Sequence, residues 1–370
     1  MSSASFTAEA VVLERFGEPV VLRTLAAPEP GPGELIVDVA YGGVCGTDVH
    51  LQQGHLSIPV PLVLGHEGLG TVRAIGADPV YDVSGSPLRV GDTVLWASSI
   101  ACGSCVPCQV DREPTLCERR QTYGVNRPLS DGSGLCGSWA EAIVLRPGTA
   151  VVRLPDGVDP MAAMALACAG PTMVHALYER RPVRLGETVI IQGSGPVGVA
   201  AAALAHLAGA ERVILIGGPA SRLETAAALG LGHSHLDIIA ASDPEQVLSQ
   251  ARAMTPGGRG ADLVIECAGA PAAVAQGLTL VRRGGSYLIV GQYTDSGATS
   301  LNPHHIVHRQ LDIRGSWAFT GVHLDQYVRL LPMLSARFDL ASLVTVFPRA
   351  DADQAMRSVA AGTLFKAVLA

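Results

Sequence analysis

The sequence predicts an α/β protein that combines a doubly wound parallel sheet with a β-rich domain, and three observations support this fold class. Short runs of branched residues, bounded by Gly and Pro, fill the first half of the chain. Beyond Gly157, apolar strands alternate with Ala-rich helices. One of those helices follows a strand and a G-x-G-x-x-G turn. Because 48% of the 370 residues are hydrophobic and 16% are charged, the chain can bury well-packed cores.

The change of pattern near Gly157 indicates a domain boundary. Asp159 and Pro160 form a helix-start signal, with Asp as the N-cap and Pro in the first turn. We therefore expect a β-rich domain over residues 1–157 and a dinucleotide-binding domain over residues 158–316. In the second domain, strands are expected at Thr188–Gln192, Arg212–Ile216, Asp262–Cys267, Ser286–Val290 and Leu311–Arg314, with helices near Val197–Leu207, Arg222–Leu229 and Ala272–Val281.

Charge and composition exclude several classes of partner. The formal net charge is -7 and no block of basic residues is present, so a nucleic-acid partner is not expected. Met1 to Ala10 has neither a basic start nor a sustained apolar core, which argues against a secretory signal. The longest apolar stretches carry Gly and His and do not reach a membrane span. With eight cysteines and no signal peptide, a reducing, cytoplasmic location is expected.

The G-x-G-x-x-G turn is the predicted cofactor site. Gly193 allows the tight turn, Gly195 lets a pyrophosphate approach the backbone, and Gly198 lets the helix lie close to the strand. Val197 lies at the start of that helix, whose N–H groups and positive dipole end favour phosphate. The alternative is a purely structural turn, which the flanking strand and helix disfavour.

The next strand bears on the choice of cofactor. An acidic residue at its end would bond the ribose hydroxyls of NAD(H), but Gly217 occupies that position. Arg222, a few residues further on, could bond a 2′-phosphate. We therefore expect a preference for NADP(H) over NAD(H). In the alternative interpretation, Arg222 only caps a solvated helix face.

Four cysteines lie close together in the β-rich half. Four thiolates on a short loop match a closed tetrahedral zinc site, which has no open coordination position and is therefore structural. A nucleic-acid zinc module is the rival interpretation, and the acidic net charge disfavours it. The predicted ligands are Cys102, Cys105, Cys108 and Cys117.

Two further motifs lie in the same half, C-G-T-D-V-H at residues 45–50 and G-H-E-G at residues 65–68. Cys168 is expected on the first helix of the second domain, which Pro171 would bend. Any one of these Cys or His residues alone could be an ordinary buried side chain. Together with the four-cysteine loop and the glycine turn, in this order, they make the chain resemble the zinc-containing medium-chain alcohol dehydrogenases over essentially its whole length.

This resemblance implies a bilobal fold. A GroES-like catalytic domain would cover residues 1–157, residues 317–370 would return to it, and a Rossmann domain would cover residues 158–316. It also implies one catalytic and one structural zinc ion per chain, and a homodimer or homotetramer. The implied reaction is hydride transfer between a nicotinamide cofactor and a small alcohol, aldehyde or ketone.

The family pattern assigns roles to individual residues. Cys45, His66 and Cys168 match the ligands of the catalytic zinc. Glu67 matches a residue that approaches the metal transiently, and Asp48 matches the carboxylate that orients His66.

Three further residues carry roles from the same pattern. Thr47 matches the residue that takes the proton of the substrate hydroxyl, and His50 the one that passes it to solvent. Lys366 matches a basic residue that touches the cofactor pyrophosphate.

Two other functions are compatible with the fold. Zinc-free quinone or enoyl reductases share it but lack the metal ligands that this chain keeps. A non-catalytic cofactor-binding protein would also share it, but the intact pair of Thr47 and His50 argues against a loss of activity.

Overall fold

A computed structural model describes residues 6–370 of the chain. The strands, in chain order, are β1 (Phe6–Leu13), β2 (Val21–Ala27), β3 (Leu35–Val44), β4 (Leu62–Val63), β5 (Gly68–Ile75), β6 (Thr93–Trp96), β7 (Ser99–Ile100), β8 (Gln121–Thr122), β9 (Ala142–Leu145), β10 (Val151–Arg153), β11 (Thr188–Gln192), β12 (Arg212–Gly217), β13 (Ser234–Asp237), β14 (Ala261–Glu266), β15 (Val281–Ile289), β16 (Asp312–Gly315), β17 (Val344–Phe347) and β18 (Lys366–Leu369). The helices are α1 (Gly46–Gln52), α2 (Val106–Gln109), α3 (Pro160–Ala165), α4 (Ala169–Val174), α5 (Pro196–Leu207), α6 (Ala220–Ala228), α7 (Pro244–Ala253), α8 (Pro271–Leu280), α9 (His304–Arg309), α10 (Gly321–Arg337) and α11 (Ala352–Ala361).

The described chain forms two compact units. The first contains the residues up to Ala167 together with Phe319–Pro332 and Leu340–Ala370, and the second contains Cys168–Ala318 and Met333–Asp339. None of the described helices combines the length and the hydrophobicity that a bilayer crossing requires.

The first unit is built from mainly antiparallel sheets around a branched-chain core, and only β17 and β18 pair in parallel among its described strands. Its main sheet has the order β10-β6-β5-β3-β18-β17, and β9 also pairs with β3. A smaller sheet has the order β2-β1-β4. The long strand β3 pairs antiparallel with β5 and β18. Strand β3 ends immediately before Cys45, and β5 begins immediately after Glu67. Their antiparallel pairing therefore brings the two predicted motifs together at the ends of these two strands.

The second unit contains a six-stranded parallel sheet of order β13-β12-β11-β14-β15-β16. The central strand β11 is buried along its length, as expected for a strand covered on both faces. The chain order reverses at β11, because β12 lies on one side of it and β14 on the other. Ligands of such sheets bind outside the carboxyl ends of the strands at this reversal. The α/β fold class with a doubly wound sheet is therefore confirmed.

The helix that should carry Cys168 differs from the prediction. Helix α3 ends at Ala165, and Cys168 occupies the N-cap position of α4 instead. Pro171 does not bend a continuous helix, because it lies in the first turn of α4, where a missing N–H removes no hydrogen bond. The run of Ala residues before Cys168 resembles an uninterrupted helix in the sequence, which explains the error.

Two elements of the second unit were missed, although Asp243 and Pro244 repeat the helix-start signal of Asp159 and Pro160. Helix α7, with Asp243 as its N-cap, and strand β13 follow β12 but were not expected. Strand β13 is short and only its Leu236 is buried. A strand with so little hydrophobic patterning cannot be distinguished from a loop by periodicity.

Candidate metal centre and cofactor site

Cys45 and His66 lie next to each other where β3 ends and β5 begins. Cys45 is the N-cap of α1, and its sulfur accepts a hydrogen bond from the Thr47 amide at 3.3 Å. The Cys45 Sγ and His66 Nε2 atoms lie 3.3 Å apart. Together with a Glu67 carboxylate oxygen, these atoms lie within 4.8 Å of one another. Sulfur, imidazole nitrogen and carboxylate oxygen are the donor types that zinc takes in proteins.

Asp48 connects the two predicted ligands. Its Oδ2 accepts a hydrogen bond from the Cys45 amide at 2.9 Å, and its Oδ1 lies 3.3 Å from His66 Nδ1. Burial raises the pKa of Asp48, and the neighbouring His66 lowers it. When the carboxylate is ionised, Nδ1 must be the donor, which leaves the Nε2 lone pair directed at the Cys45 sulfur. The carboxylate thus holds both the helix start and the imidazole.

The two carboxylate oxygen atoms of Glu67 have different surroundings. Oε2 accepts a hydrogen bond from Lys366 Nζ at 2.5 Å, and both side chains are buried. Oε1 lies 3.7 Å from His66 Nε2, is buried, and has no hydrogen-bond partner among the described residues. A buried carboxylate oxygen without a donor is costly unless a cation satisfies it. The cluster therefore fits a zinc ion.

The buried position of Lys366 was not predicted. The residue begins β18, is 3% exposed, and pairs with Glu67 beside the cluster. Its predicted contact with the cofactor pyrophosphate stays a prediction. Cys168 lies at the N-cap position of α4 in the second unit and likewise stays a predicted ligand.

The four-cysteine loop brings its sulfur atoms together. All four lie within 4.8 Å of one another. The Sγ atoms of Cys105 and Cys108 lie 3.4 Å apart, far beyond the S–S bond length of about 2.05 Å. The Ser104 amide lowers the pKa of Cys102 to about 5, whereas burial raises that of Cys108 to about 12. Four thiols in so small a volume can all ionise only around a cation, so the loop fits one zinc ion.

Thr47 and His50 lie on the short helix α1 that begins at Cys45. Both side chains are half-buried. The Nδ1 atoms of His50 and His55 lie 3.0 Å apart, so one ring donates to the other. Burial lowers the pKa of His50, and the charge of His55 lowers it further. The pairing with His55 is a relationship that sequence motifs did not reveal.

The glycine turn has the geometry that its pattern predicts. Gly193 has a φ of 114°, a conformation that favours glycine. A Cβ atom on Gly198 would lie 1.8 Å from the Gly193 carbonyl oxygen, so no side chain fits there. Gly195 is the N-cap of α5, and Val197 follows in its first turn. The free helix N-terminus is suited to bind a pyrophosphate.

The end of β12 excludes an acidic side chain at the predicted position. A Cβ atom on Gly217 would lie 2.6 Å from Ser194 Oγ and 2.7 Å from the Ser194 amide nitrogen. Ser194 also exchanges hydrogen bonds with the backbone of Gly218, which fixes this contact. Arg222 Nη1 lies 3.8 Å from where a Cβ atom on Gly195 would stand. A guanidinium therefore lies over the turn, and burial lowers its pKa.

Comparison with known proteins identifies the family of the chain. Residues 31–156 match the alcohol dehydrogenase GroES-like domain, and residues 196–336 match the zinc-binding dehydrogenase family. The chain is 35% identical over 343 residues to a 5-exo-hydroxycamphor dehydrogenase of Pseudomonas putida, covering 92% of each protein. An alcohol dehydrogenase structure from Thermotoga maritima matches with a TM-score of 0.91 and 32% identity, covering 98% of this chain and 99% of that one.

A second solved structure carries a cofactor. It is described as a putative zinc-binding dehydrogenase from Sinorhizobium meliloti bound to NADP, and matches with a TM-score of 0.84 and 27% identity over 98% of this chain and 99% of that one. Both domain families, the long alignment and the site geometry agree. The chain belongs to the medium-chain family of zinc-type alcohol dehydrogenases.

Proposed function

We propose that the protein is a zinc-dependent dehydrogenase that interconverts a secondary alcohol and a ketone, with NADP(H) as the preferred cofactor. The observation that carries this proposal is the cluster of Cys45, His66 and Glu67, fixed by Asp48 at the start of the helix that also bears Thr47 and His50. The placement of metal donors next to a hydroxyl and an imidazole supports proton removal from a bound alcohol.

The residues that would hold the catalytic metal are Cys45, His66 and Cys168, with Glu67 as an exchangeable fourth donor. A zinc ion held there would supply a Lewis acid that makes an alcohol more acidic and a carbonyl more electrophilic. The second zinc ion would be held by the four-cysteine loop and would stabilise the fold without taking part in chemistry.

The chain's own groups would then move the proton. Thr47 Oγ1 would accept the proton of the substrate hydroxyl as it gives up its own, and His50 would take up the released proton and deliver it towards solvent. Because its pKa is lowered, His50 stays neutral and able to accept a proton at lower pH than an ordinary histidine. His55, whose Nδ1 is 3.0 Å from that of His50, shares the proton before it leaves.

The preference for NADP(H) rests on the end of β12. Ser194 leaves no room for a carboxylate at Gly217, and the Arg222 guanidinium lies close to the turn, where it would bond a 2′-phosphate. The S. meliloti relative bound to NADP supports the same preference. For the substrate, the similarity to the 5-exo-hydroxycamphor dehydrogenase suggests that cyclic terpenoid alcohols should be tested first.

The direct test is a turnover assay with a panel of secondary alcohols and ketones, run with both cofactors and followed by nicotinamide absorbance. We expect turnover with at least one pair and a higher kcat/KM with the phosphorylated cofactor. Cys45→Ser should abolish turnover and leave cofactor binding intact. If the zinc-loaded protein binds NADPH but turns over no member of the panel, the result contradicts the proposed dehydrogenase activity and supports a non-catalytic cofactor-binding protein.

We also propose that the protein forms a homodimer or homotetramer in the cytoplasm, through the edge of the parallel sheet. Strand β16 pairs with β15 on one side, and all four of its residues are exposed. An exposed edge strand is a template for pairing with a second copy. Light scattering of the wild type and of Ile313→Lys tests this, since only an edge-paired oligomer should dissociate when a charge replaces Ile313.

The eight cysteines, none joined in a disulfide in the described structure, support a reducing compartment.

A further inference from the structure

The two loops that carry Cys45 and His66 are both attached to one short segment, Gly137–Trp139. The indole Nε1 of Trp139 donates to the Gly43 carbonyl at 2.8 Å, two residues before Cys45. The Ser138 hydroxyl donates to the Glu67 carbonyl at 2.5 Å, one residue after His66. Both side chains are completely buried.

Backbone hydrogen bonds join the same three pieces of chain. The Ser138 amide donates to the Gly65 carbonyl at 2.8 Å, and the Gly43 amide donates to the Glu67 carbonyl at 2.9 Å. The Glu67 carbonyl therefore accepts from both Ser138 and Gly43, and it connects the two loops directly. None of these groups can exchange its partner for water, because the site is buried.

The three backbone segments are packed too closely to move independently of one another. A Cβ atom on Gly65 would lie 2.3 Å from Trp139 Cδ1, and one on Gly42 would lie 2.3 Å from the Ser138 carbonyl oxygen. A Cβ atom on Gly43 would lie 2.8 Å from the Glu67 carboxylate. The glycines let three backbone segments touch, so a shift of Ser138 or Trp139 must move the loops that carry the ligands.

We propose that Ser138 and Trp139 are positioning residues that set the distance between Cys45 and His66, and thereby the zinc affinity of this centre. The inference rests on the proposed function to the extent that the Cys45–His66 cluster is taken as a zinc site. Groups that hold metal ligands in place typically change metal affinity about 10- to 100-fold when they are removed. The same range is expected here, because each of the two side-chain hydrogen bonds is made within two residues of a ligand.

Trp96 provides a matched control. It is also buried, at 3% exposure, and it also borders the ligand loop, since a Cβ atom on Gly68 would lie 2.1 Å from its ring. Its Nε1, however, has no hydrogen-bond partner among the described residues. Trp96→Phe therefore makes the same change in volume as Trp139→Phe but breaks no hydrogen bond to the loops.

The experiment measures the affinity of each zinc ion by competition with a chromogenic chelator. Wild type should release two zinc ions per chain. Trp139→Phe and Ser138→Ala should each weaken one of them about 10- to 100-fold, with the other unchanged. Trp96→Phe should release both as the wild type does. Cobalt replacement gives a second readout, because the visible bands of a mixed nitrogen–sulfur site differ from those of a four-sulfur site and only the former should shift.

The possible outcomes separate the two proposals. If wild type holds two zinc ions but Trp139→Phe and Trp96→Phe lose zinc alike, or if the four-cysteine zinc weakens as much as the other, the positioning role is overturned and the proposed function stands. If the wild type holds only the four-cysteine zinc, both fail. If Trp139→Phe does not fold, Ser138→Ala alone decides, because it removes a single hydroxyl.

Discussion

Lys366 Nζ lies 2.5 Å from Glu67 Oε2, and this ion pair is buried within the first unit. The pair joins residues 299 positions apart in the sequence, because β18 pairs with β3 beside the point where β5 begins. Its geometry directs one carboxylate oxygen to the ammonium group and leaves the other facing His66.

Breaking this pair should cost substantial stability. Lys366→Met leaves Glu67 Oε2 buried without its ammonium partner, so we expect a loss of about 3–5 kcal/mol in the free energy of unfolding. Urea denaturation of the zinc-loaded protein measures it. The double variant Glu67→Gln with Lys366→Met should recover much of the loss, since neither residue then leaves the other as an unpaired buried charge. A surface control is Arg15→Ala, whose exposed pair with Glu18 should contribute almost nothing.

The pH dependence of alcohol oxidation should report on His50. Only the neutral imidazole can accept a proton, so the rate falls as pH drops below its pKa. Because burial and His55 lower that pKa, the fall should occur below the ordinary histidine value of about 6.5. His55→Ala removes the neighbouring charge and should move the fall towards higher pH. A profile of kcat against pH that is identical in wild type and His55→Ala would rule out this coupling.

Removal of His50 should produce a defect that small bases repair. His50→Ala should lower the oxidation rate by about 100-fold or more near neutral pH. Added imidazole should restore part of the rate in proportion to its concentration, because it can take the proton from the exposed end of the pathway. His304→Ala, on the exposed helix α9, is the control and should leave the rate and its buffer dependence unchanged.

The two metal centres should respond differently to the loss of one sulfur. Cys45→Ser should remove turnover while the melting temperature changes little and NADPH still binds. Cys105→Ser should instead lower the zinc content and the melting temperature together, because metal binding by such loops is coupled to folding. Metal analysis and thermal melting of both variants decide this. Equal melting temperatures in the two variants would argue against a structural role for the four-cysteine loop.

Cofactor preference should depend on Arg222. Arg222→Ala should lower kcat/KM for NADPH by about 10- to 100-fold, which corresponds to the loss of about 1.5–3 kcal/mol for a hydrogen bond to a charged group. The value for NADH should change little. Arg212, which bonds the Met254 carbonyl at the other end of β12, provides a control. If Arg212→Ala and Arg222→Ala lower kcat/KM for NADPH equally, the role of Arg222 is disproved.

The sequence reveals the parts of the site that are local in the chain. The four cysteines and the glycine turn are recognisable because a few residues at fixed spacing perform the chemistry. The partner of Glu67 and the attachment of both ligand loops to Ser138 and Trp139 are different. They depend on strand register and on backbone carbonyls, which carry no signature in the side-chain pattern. The break before Cys168 was missed because neighbouring Ala residues favour helix on both sides of it.

The contact between Gly217 and Ser194 has a consequence for redesign. A carboxylate at the end of β12 would be the natural substitution for binding the ribose hydroxyls of NAD(H). Here the added carbon would meet the backbone nitrogen of Ser194 as well as its hydroxyl, so trimming that hydroxyl does not make room. An acidic side chain at the end of β12 would therefore require the whole glycine turn around Ser194 to be replaced as one unit, not Gly217 alone.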